Sequence, residues 1–326
     1  MSWLQRLKLD PFLMTLLAVV LAATIFPCEG IYKTIFEHLT TIAIALLFFM
    51  HGAKLSRQAI IGGIRNWRLH LIILASTFLV FPLLGLSLQC FVPDLLSNDL
   101  YLGFLYLCAL PATVQSAIAF TSLARGNVAA AICSASLSTL LGIFLSPFLV
   151  GLLMNTQSGQ TDTLDAILSI MYKLMLPFVL GHLCRPLIGQ WIDKHKKLVS
   201  KTDMSSILLV IYVAFSDAVV NGIWQQVNVL SLLAVVIFSC LLLGAVLLIT
   251  TYGARLLGFN KADEITIVFC GSKKSLANGI PMASVLFPTS IMGIMVLPLM
   301  IFHQIQLMVC AVLAARYARR PEIEQN

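Results

Sequence analysis

Ten apolar runs, each close to or above about 20 residues, follow one another along the chain with short polar segments between them. They cover 11–27, 31–53, 69–91, 99–124, 127–153, 162–189, 204–222, 228–256, 262–287 and 290–316. A helix of that length crosses the roughly 30 Å hydrocarbon core of a bilayer. The pattern therefore predicts an all-α polytopic membrane protein with ten transmembrane helices. Two runs are interrupted by polar residues: Glu37 and His38 sit early in the second, and Lys273 and Lys274 break the ninth. The first run follows a basic start as a signal peptide would, but no small-x-small cleavage pattern closes it, so it is expected to remain as a span.

The distribution of charge orients these spans. With the N-terminus inside, 17 of the 21 Lys and Arg residues fall in inner loops and termini, and Lys33 alone falls outside. Lys173, Lys273 and Lys274 lie within spans. Cytoplasmic loops carry the basic excess, so both termini are expected in the cytoplasm of a multi-pass protein. Trp3, Trp67, Trp191 and Trp224 fall at span ends, as an aromatic belt requires.

Composition agrees with this picture and excludes others. Hydrophobic residues make up 59% of the 326, charged residues 11%, and the mean hydropathy is +0.95. A net charge of +7 could indicate nucleic acid, but the basic residues occupy separate short loops rather than one patch, so no nucleic-acid partner is expected. The eight cysteines occur singly, without a C-x-x-C pair or metal-ligand spacing, and are read as small buried hydrophobes.

Cutting the chain after the fifth span gives halves, 1–153 and 154–326, that face opposite ways, because five is odd. A 5+5 inverted repeat is the signature of secondary transporters, with the site at interruptions in corresponding spans. The fourth span of each half has one. LPATVQSAIAF breaks at Pro111 and continues through Thr113, Gln115 and Ser116. CGSKKSLANGIPM breaks at Gly271 and continues through Ser272, Lys273, Lys274, Ser275 and Asn278. An unwound segment at mid-membrane frees backbone groups that hydrocarbon cannot satisfy. The half-helix N-terminus then favours an anion and the freed carbonyls a cation.

A lysine at mid-membrane costs on the order of 3 kcal/mol, so it is expected to face a cavity and a partner. Lys273 or Lys274 is expected to bind an anionic substrate or to cycle a proton. The plainer reading is that one pairs with a carboxylate and the other snorkels. Asp217 is the carboxylate set well inside a span, and a structural Lys173–Asp217 pair is expected for both residues. His303, Gln304 and Gln306 put an imidazole and two amides near mid-membrane in the tenth span, either lining a path or bonding between helices.

The stretches LPATVQSAIAFTSLARGNVAAAICSASLSTL (110–140), LMLPFVLGHLCRP (174–186) and GSKKSLANGIPM with PLMIFHQIQLMV (298–309) resemble the bile acid:sodium symporter superfamily, in its bacterial YfeH-like branch. The resemblance implies a core and a panel domain, with spans four and nine crossing at their unwound centres. It implies a secondary active symporter for a small organic anion in the bacterial inner membrane. Ser136, Ser138 and Thr139 match fifth-span ion ligands of sodium-binding members. Where the family places a glutamate and then a glutamine, this chain has Phe269 and Lys273, which removes the acidic ligand. The coupling ion is accordingly left as Na+ or H+, and no other cofactor is expected. A sodium-independent or proton-coupled carrier and a non-transporting membrane regulator stand as alternatives. No H-E-x-x-H, paired intramembrane aspartates or G-x-S-x-G point to an enzyme. Protein partners are not legible.

Overall fold

The computed structural model describes residues 11–54, 66–92, 94–155, 163–220, 222 and 229–320; for 11–13, 155, 163–173, 193 and 196 it describes the backbone alone. The described chain is helical, with no strand among these residues. The helices are α1 (Pro11–Ile25), α2 (Gly30–Lys54), α3 (Trp67–Phe91), α4 (Asn98–Ala109), α5 (Gln115–Leu123) and α6 (Val128–Asn155). They continue as α7 (Thr163–Lys194), α8 (Lys196–Val220), α9 (Val229–Leu256), α10 (Lys261–Gly271), α11 (Leu276–Leu286) and α12 (Thr289–Ala318). Six of them, α2, α3, α6, α8, α9 and α12, are long and apolar enough to cross a membrane.

The fourth and ninth apolar runs are not single helices. Each is a pair of short ones, α4–α5 and α10–α11, and 12 residues of helix reach only about 18 Å. The local causes are visible. Leu110 takes extended geometry (φ −76°, ψ 156°) ahead of Pro111, because proline disfavours helical geometry in the residue before it. In the ninth run Gly271 closes α10, and Ser275 restarts the helix as its N-cap, accepting from the Asn278 N–H at 3.2 Å. Asn260 caps α10 in the same way, accepting from the Asp263 N–H at 2.9 Å, and Asp263 and Glu264 lie in that first turn, where negative charge is favoured.

Packing sorts the helices into two groups. One comprises α1, α2, α7 and α8; the other comprises α3–α6 and α9–α12. They meet where α8 touches α11 and α12 and where α7 touches α6 and α11. Within the first group α2 and α7 run side by side over a long contact. Met50 and Ala53 pack near Ile188 and Ile192, and Arg185 donates to Ala53 O at 2.8 Å, so the two C-terminal ends lie together.

The approach of α2 to α7 is set by two glycines facing each other's backbones. A Cβ on Gly52 would fall 1.9 Å from Phe178 O, and one on Gly181 1.9 Å from Phe49 O. Close backbone approach between small residues is how membrane helices gain packing when lipid is as apolar as their side chains.

Loops of like predicted sidedness also meet. Arg320 donates to Arg125 O at 2.6 Å, Asn127 to Asp263 at 2.8 Å, and Arg68 stacks over Phe259. Large apolar side chains such as Leu187, Leu256 and Val229 stand out from the bundle, as a lipid-facing surface would have them. The cysteines divide: Cys28, Cys108, Cys270 and Cys310 are buried as expected, but Cys90 and Cys240 are exposed on the bundle surface. Surrounding lipid is as apolar as a core, so hydropathy alone does not distinguish the two locations.

Replacing Gly52 or Gly181 by valine is expected to force α2 and α7 apart and remove the folded species, read as loss of a monodisperse peak in detergent. Gly244→Ala, where an added Cβ meets nothing within 4 Å, is expected to leave that peak unchanged.

Candidate functional site

Several backbone groups of the breaks at Leu110–Val114 and Ser272–Ser275 are paired by the protein itself. The Ser275 N–H donates to Pro111 O at 2.9 Å, which joins the two breaks directly. The Ala112 N–H donates to Ser138 Oγ at 3.0 Å. Gln306 clasps the backbone of Lys274 from both sides: its Oε1 accepts from the Lys274 N–H and its Nε2 donates to Lys274 O, each at 2.9 Å. Tyr106 Oη donates to Gly279 O at 2.5 Å and Ser76 Oγ to Gly271 O at 2.8 Å.

Lys274 is the centre of this crossing. Its side chain has no exposed surface, and Nζ donates to Thr77 O, Cys108 O and Leu110 O, each at 2.7 Å. The Phe81 ring lies 4.2 Å from the same nitrogen. All three carbonyls have lost their helical donors. Cys108 and Leu110 are at the end of α4, where the last carbonyls have no helical partner. Thr77 belongs to a π turn, Ser76–Val80, in which the Phe81 N–H goes to Ser76 O, and the next residue, Pro82, has no N–H. One ammonium with three donors therefore satisfies breaks in two helices, α3 and α4.

Lys273 differs from its neighbour. It is equally buried, but its Nζ has one long bond, to Ser116 O at 3.4 Å, and lies over the Phe120 ring at 3.8 Å. The sequence does not tell the two lysines apart; the partners do.

A cavity of about 440 Å³ lies between the two helix groups. From the larger group it is lined by Thr113, Val114, Gln115 and Ser116 at the start of α5, Ser275, Leu276, Ala277 and Asn278 at the start of α11, Ser136 and Thr139 of α6, and His303 of α12. From the other it is lined by His51 and Lys54 of α2, Phe178 of α7, and Ser200, Asp203, Met204 and Ile207 of α8. Both half-helices thus present their N-terminal turns, with their partial positive charge, to one space.

Of the residues singled out in the sequence, Thr113, Gln115, Ser116, Ser136, Thr139, Ser275, Asn278 and His303 come together there. Ser138, Ser272, Lys273, Lys274, Gln304 and Gln306 are not among the lining residues. Thr113 and Ser116 share a hydroxyl bond at 2.7 Å. Gln306 is fully buried against Lys274, and Ser272 Oγ and Gln304 Oε1 are buried without a hydrogen-bond partner. Asp217 pairs with Lys33 at 2.5 Å, joining the start of α2 to the end of α8. The Lys173 side chain, its expected partner, lies outside the described residues. Sequence reading overlooked Lys54 and Asp203, which form an ion pair across α2 and α8 at the cavity wall. Lys54 was counted with the basic residues of an inner loop, and Asp203 was not singled out.

The profile of the SBF-like CPA transporter family matches residues 10–319. The chain belongs to that family. It is 65% identical over 314 residues, covering 96% of this chain and 94% of the relative, to the protein named "Putative symporter YfeH" of Escherichia coli (strain K12). It is 58% identical over 311 residues to an uncharacterized protein of Pseudomonas aeruginosa, covering 95% of this chain and 93% of the relative. Identity to "Sodium/bile acid cotransporter 7" of Rattus norvegicus is 29% over 319 residues, covering 96% and 94%. Membership in the SBF-like CPA family makes this a multi-span membrane protein of transporter type.

Lys274→Met would leave three buried carbonyls without a donor, at about 1–3 kcal/mol each, and is expected to lower thermal stability in detergent severely. Lys273→Met removes one long bond in an aromatic setting and is expected to fold with stability close to that of the parent.

Proposed function

We propose that this chain is a secondary active carrier that binds a small organic anion in the cavity between its two helix groups. The observation that carries the reading is the convergence of the α5 and α11 N-terminal turns on one cavity. Such termini are ready-made anion sites. Val114, Leu140, Phe178, Met204, Ile207 and Leu307 supply an apolar wall for the rest of a ligand. Bile acid, named for the rat relative, is one chemistry of that kind, and the native cargo is taken here only as an organic anion.

The ten-span topology, with a first repeat over 1–153 and a second over 154–326, fits the pairing of α4–α5 with α10–α11, since each is the broken fourth span of its half. The larger helix group is the core and the smaller the panel. Alternating access is then a movement of one against the other across the cavity. With both termini cytoplasmic in the bacterial inner membrane, the Lys54 end of α2 and the Asp203 end of α8 face the cytoplasm, so the cavity opens inward.

Sodium coupling has weak support. Phe269, where the resemblance places the acidic ligand, is buried in an apolar cluster with Cys310 and Ala314. The carbonyls freed by the breaks hold the Lys274 ammonium instead of a free cation. A tethered charge of this sort serves the structure continuously and cannot be released to either side.

The reading is tested by thermal unfolding of the purified protein with a panel of organic anions, in sodium and in choline salts. A ligand at 100 times its Kd is expected to add about 2.7 kcal/mol, equally in both salts. Ser116→Ala and Ser275→Ala are each expected to weaken binding by up to about tenfold. Indifference to every anion would overturn the proposal, and stabilisation confined to sodium would overturn its sodium-independent form.

A further inference from the structure

The cavity wall holds one ion pair, between Lys54 of α2 and Asp203 of α8. Lys54 is the lysine or arginine among the described residues that lines the cavity, and Asp203 is its carboxylate. The pair is arranged unevenly. Asp203 Oδ2 accepts from Lys54 Nζ, whereas Oδ1 is buried without a hydrogen-bond partner. The Lys54 side chain is 34% exposed and that of Asp203 18%. The cation is thus the more accessible member, and the carboxylate depends on it for its charge partner.

We infer that Asp203 is the proton-binding site that couples anion movement to protons, with Lys54 exchanging Asp203 for the substrate. The inference rests on the anion-carrier reading and adds the coupling ion. In the empty cavity the Lys54 ammonium and the Asp203 carboxylate balance one another. An arriving anion takes the ammonium, and a half-buried carboxylate, one of whose oxygens is already buried without a hydrogen-bond partner, loses its ion pair. A partly desolvated charge that loses its partner is unfavourable, the more so as the ligand closes the cavity over it. Proton uptake by Asp203 removes it. One anion and one proton enter together, the anion on Lys54 and the proton on Asp203, and both leave when the pair re-forms. The pair and its ligand sum to zero charge before and after loading, which suits a unit that moves through a low-dielectric layer.

The groups around Asp203 leave it this role. Its helix α8 packs against α1, α2, α7, α11 and α12. From α2 come Lys54 and His51; His51 is within Coulombic reach of both members of the pair, and its Nδ1 bonds Leu47 O at 2.9 Å. From α12 comes His303 at the cavity wall. In α7, Arg185 is engaged with Ala53 O, and His182 follows Gly181 at the backbone contact with α2. α1 and α11 carry no titratable side chain, and Lys197 and Lys201 of α8 itself are exposed.

The test uses the full-length protein in detergent with choline salts of taurocholate and 2-naphthalenesulfonate. Their sulfonates stay ionised, so any proton taken up goes to the protein. Binding is followed by calorimetry in buffers of different ionisation enthalpy, and proton uptake with an indicator dye. The parent is expected to take up up to about one proton per bound anion, with affinity falling by up to about tenfold per pH unit as pH rises. Asp203→Asn is expected to bind either anion with no proton uptake and no pH dependence. Asp203→Glu should restore both, and Lys54→Met should weaken binding at least about tenfold. Anion binding by the parent without proton uptake, or uptake that persists in Asp203→Asn, would overturn the inference and leave the carrier reading standing. Failure of the parent to bind either anion would overturn the inference, and failure across the wider anion panel would overturn the carrier reading itself. Should Asp203→Asn fail to fold, Asp203→Ser takes its place with the same expectation, and uptake that persists in it would overturn the inference.

Discussion

A peptide carbonyl in the middle of a bilayer must find a hydrogen-bond donor, because neither lipid nor water will provide one there. Among the described residues, helical pairing is interrupted at the π turn of α3, the end of α4 and the gap between α10 and α11. Lys274 meets the demand of the first two from within the third. The rest of the site follows. Because that backbone is held by Lys274, Gln306 and Ser138, the first turns of α5 and α11 can both line a shared cavity. Charge-assisted bonds of this length in a dry setting are among the stronger ones a protein makes, and the Phe81 ring covers the remaining side.

The two helix groups divide the work differently. In the group of α1, α2, α7 and α8, backbones touch at Gly52 and Gly181, and ion pairs tie α2 to α8 at both ends, Lys33 with Asp217 and Lys54 with Asp203. In the larger group cohesion comes from the crossing and from large buried rings such as Tyr101, Phe104 and Tyr106. Between the groups, α8 and α7 meet α6, α11 and α12 around a cavity. Interfaces that surround empty space are where relative motion is least hindered.

Much of this was legible in the sequence, for a physical reason. Twenty-residue apolar runs and the proline and glycine that interrupt them are local signals, so the six long helices and the breaks at Pro111 and Gly271 could be read directly. Partner identity is not local. Lys273 and Lys274 are adjacent, yet one meets three carbonyls and the other a phenylalanine face, which depends on helices more than 150 residues away in the chain. The lysines were expected at the cavity; the structure gives that wall to Lys54, which looked like one more basic residue of an inner loop. Asp217 was read as half of an ion pair, and Lys33 fills that role from a helix whose basic residue was assigned to the outer surface. Charge counting finds sides of a membrane but not pairs.

The Lys274 cage also has a consequence for how the molecule is made. Its acceptors lie 197, 166 and 164 residues earlier in the chain than the lysine that satisfies them. During synthesis α3 and α4 therefore enter the membrane with carbonyls exposed, and they stay so until α10 and α11 have been inserted. Contacts of such long range form late, after many others are in place. The N-terminal half can acquire its helices early, but it completes its own backbone pairing only when the C-terminal half brings the donor. The two halves are separate in sequence and interdependent in assembly.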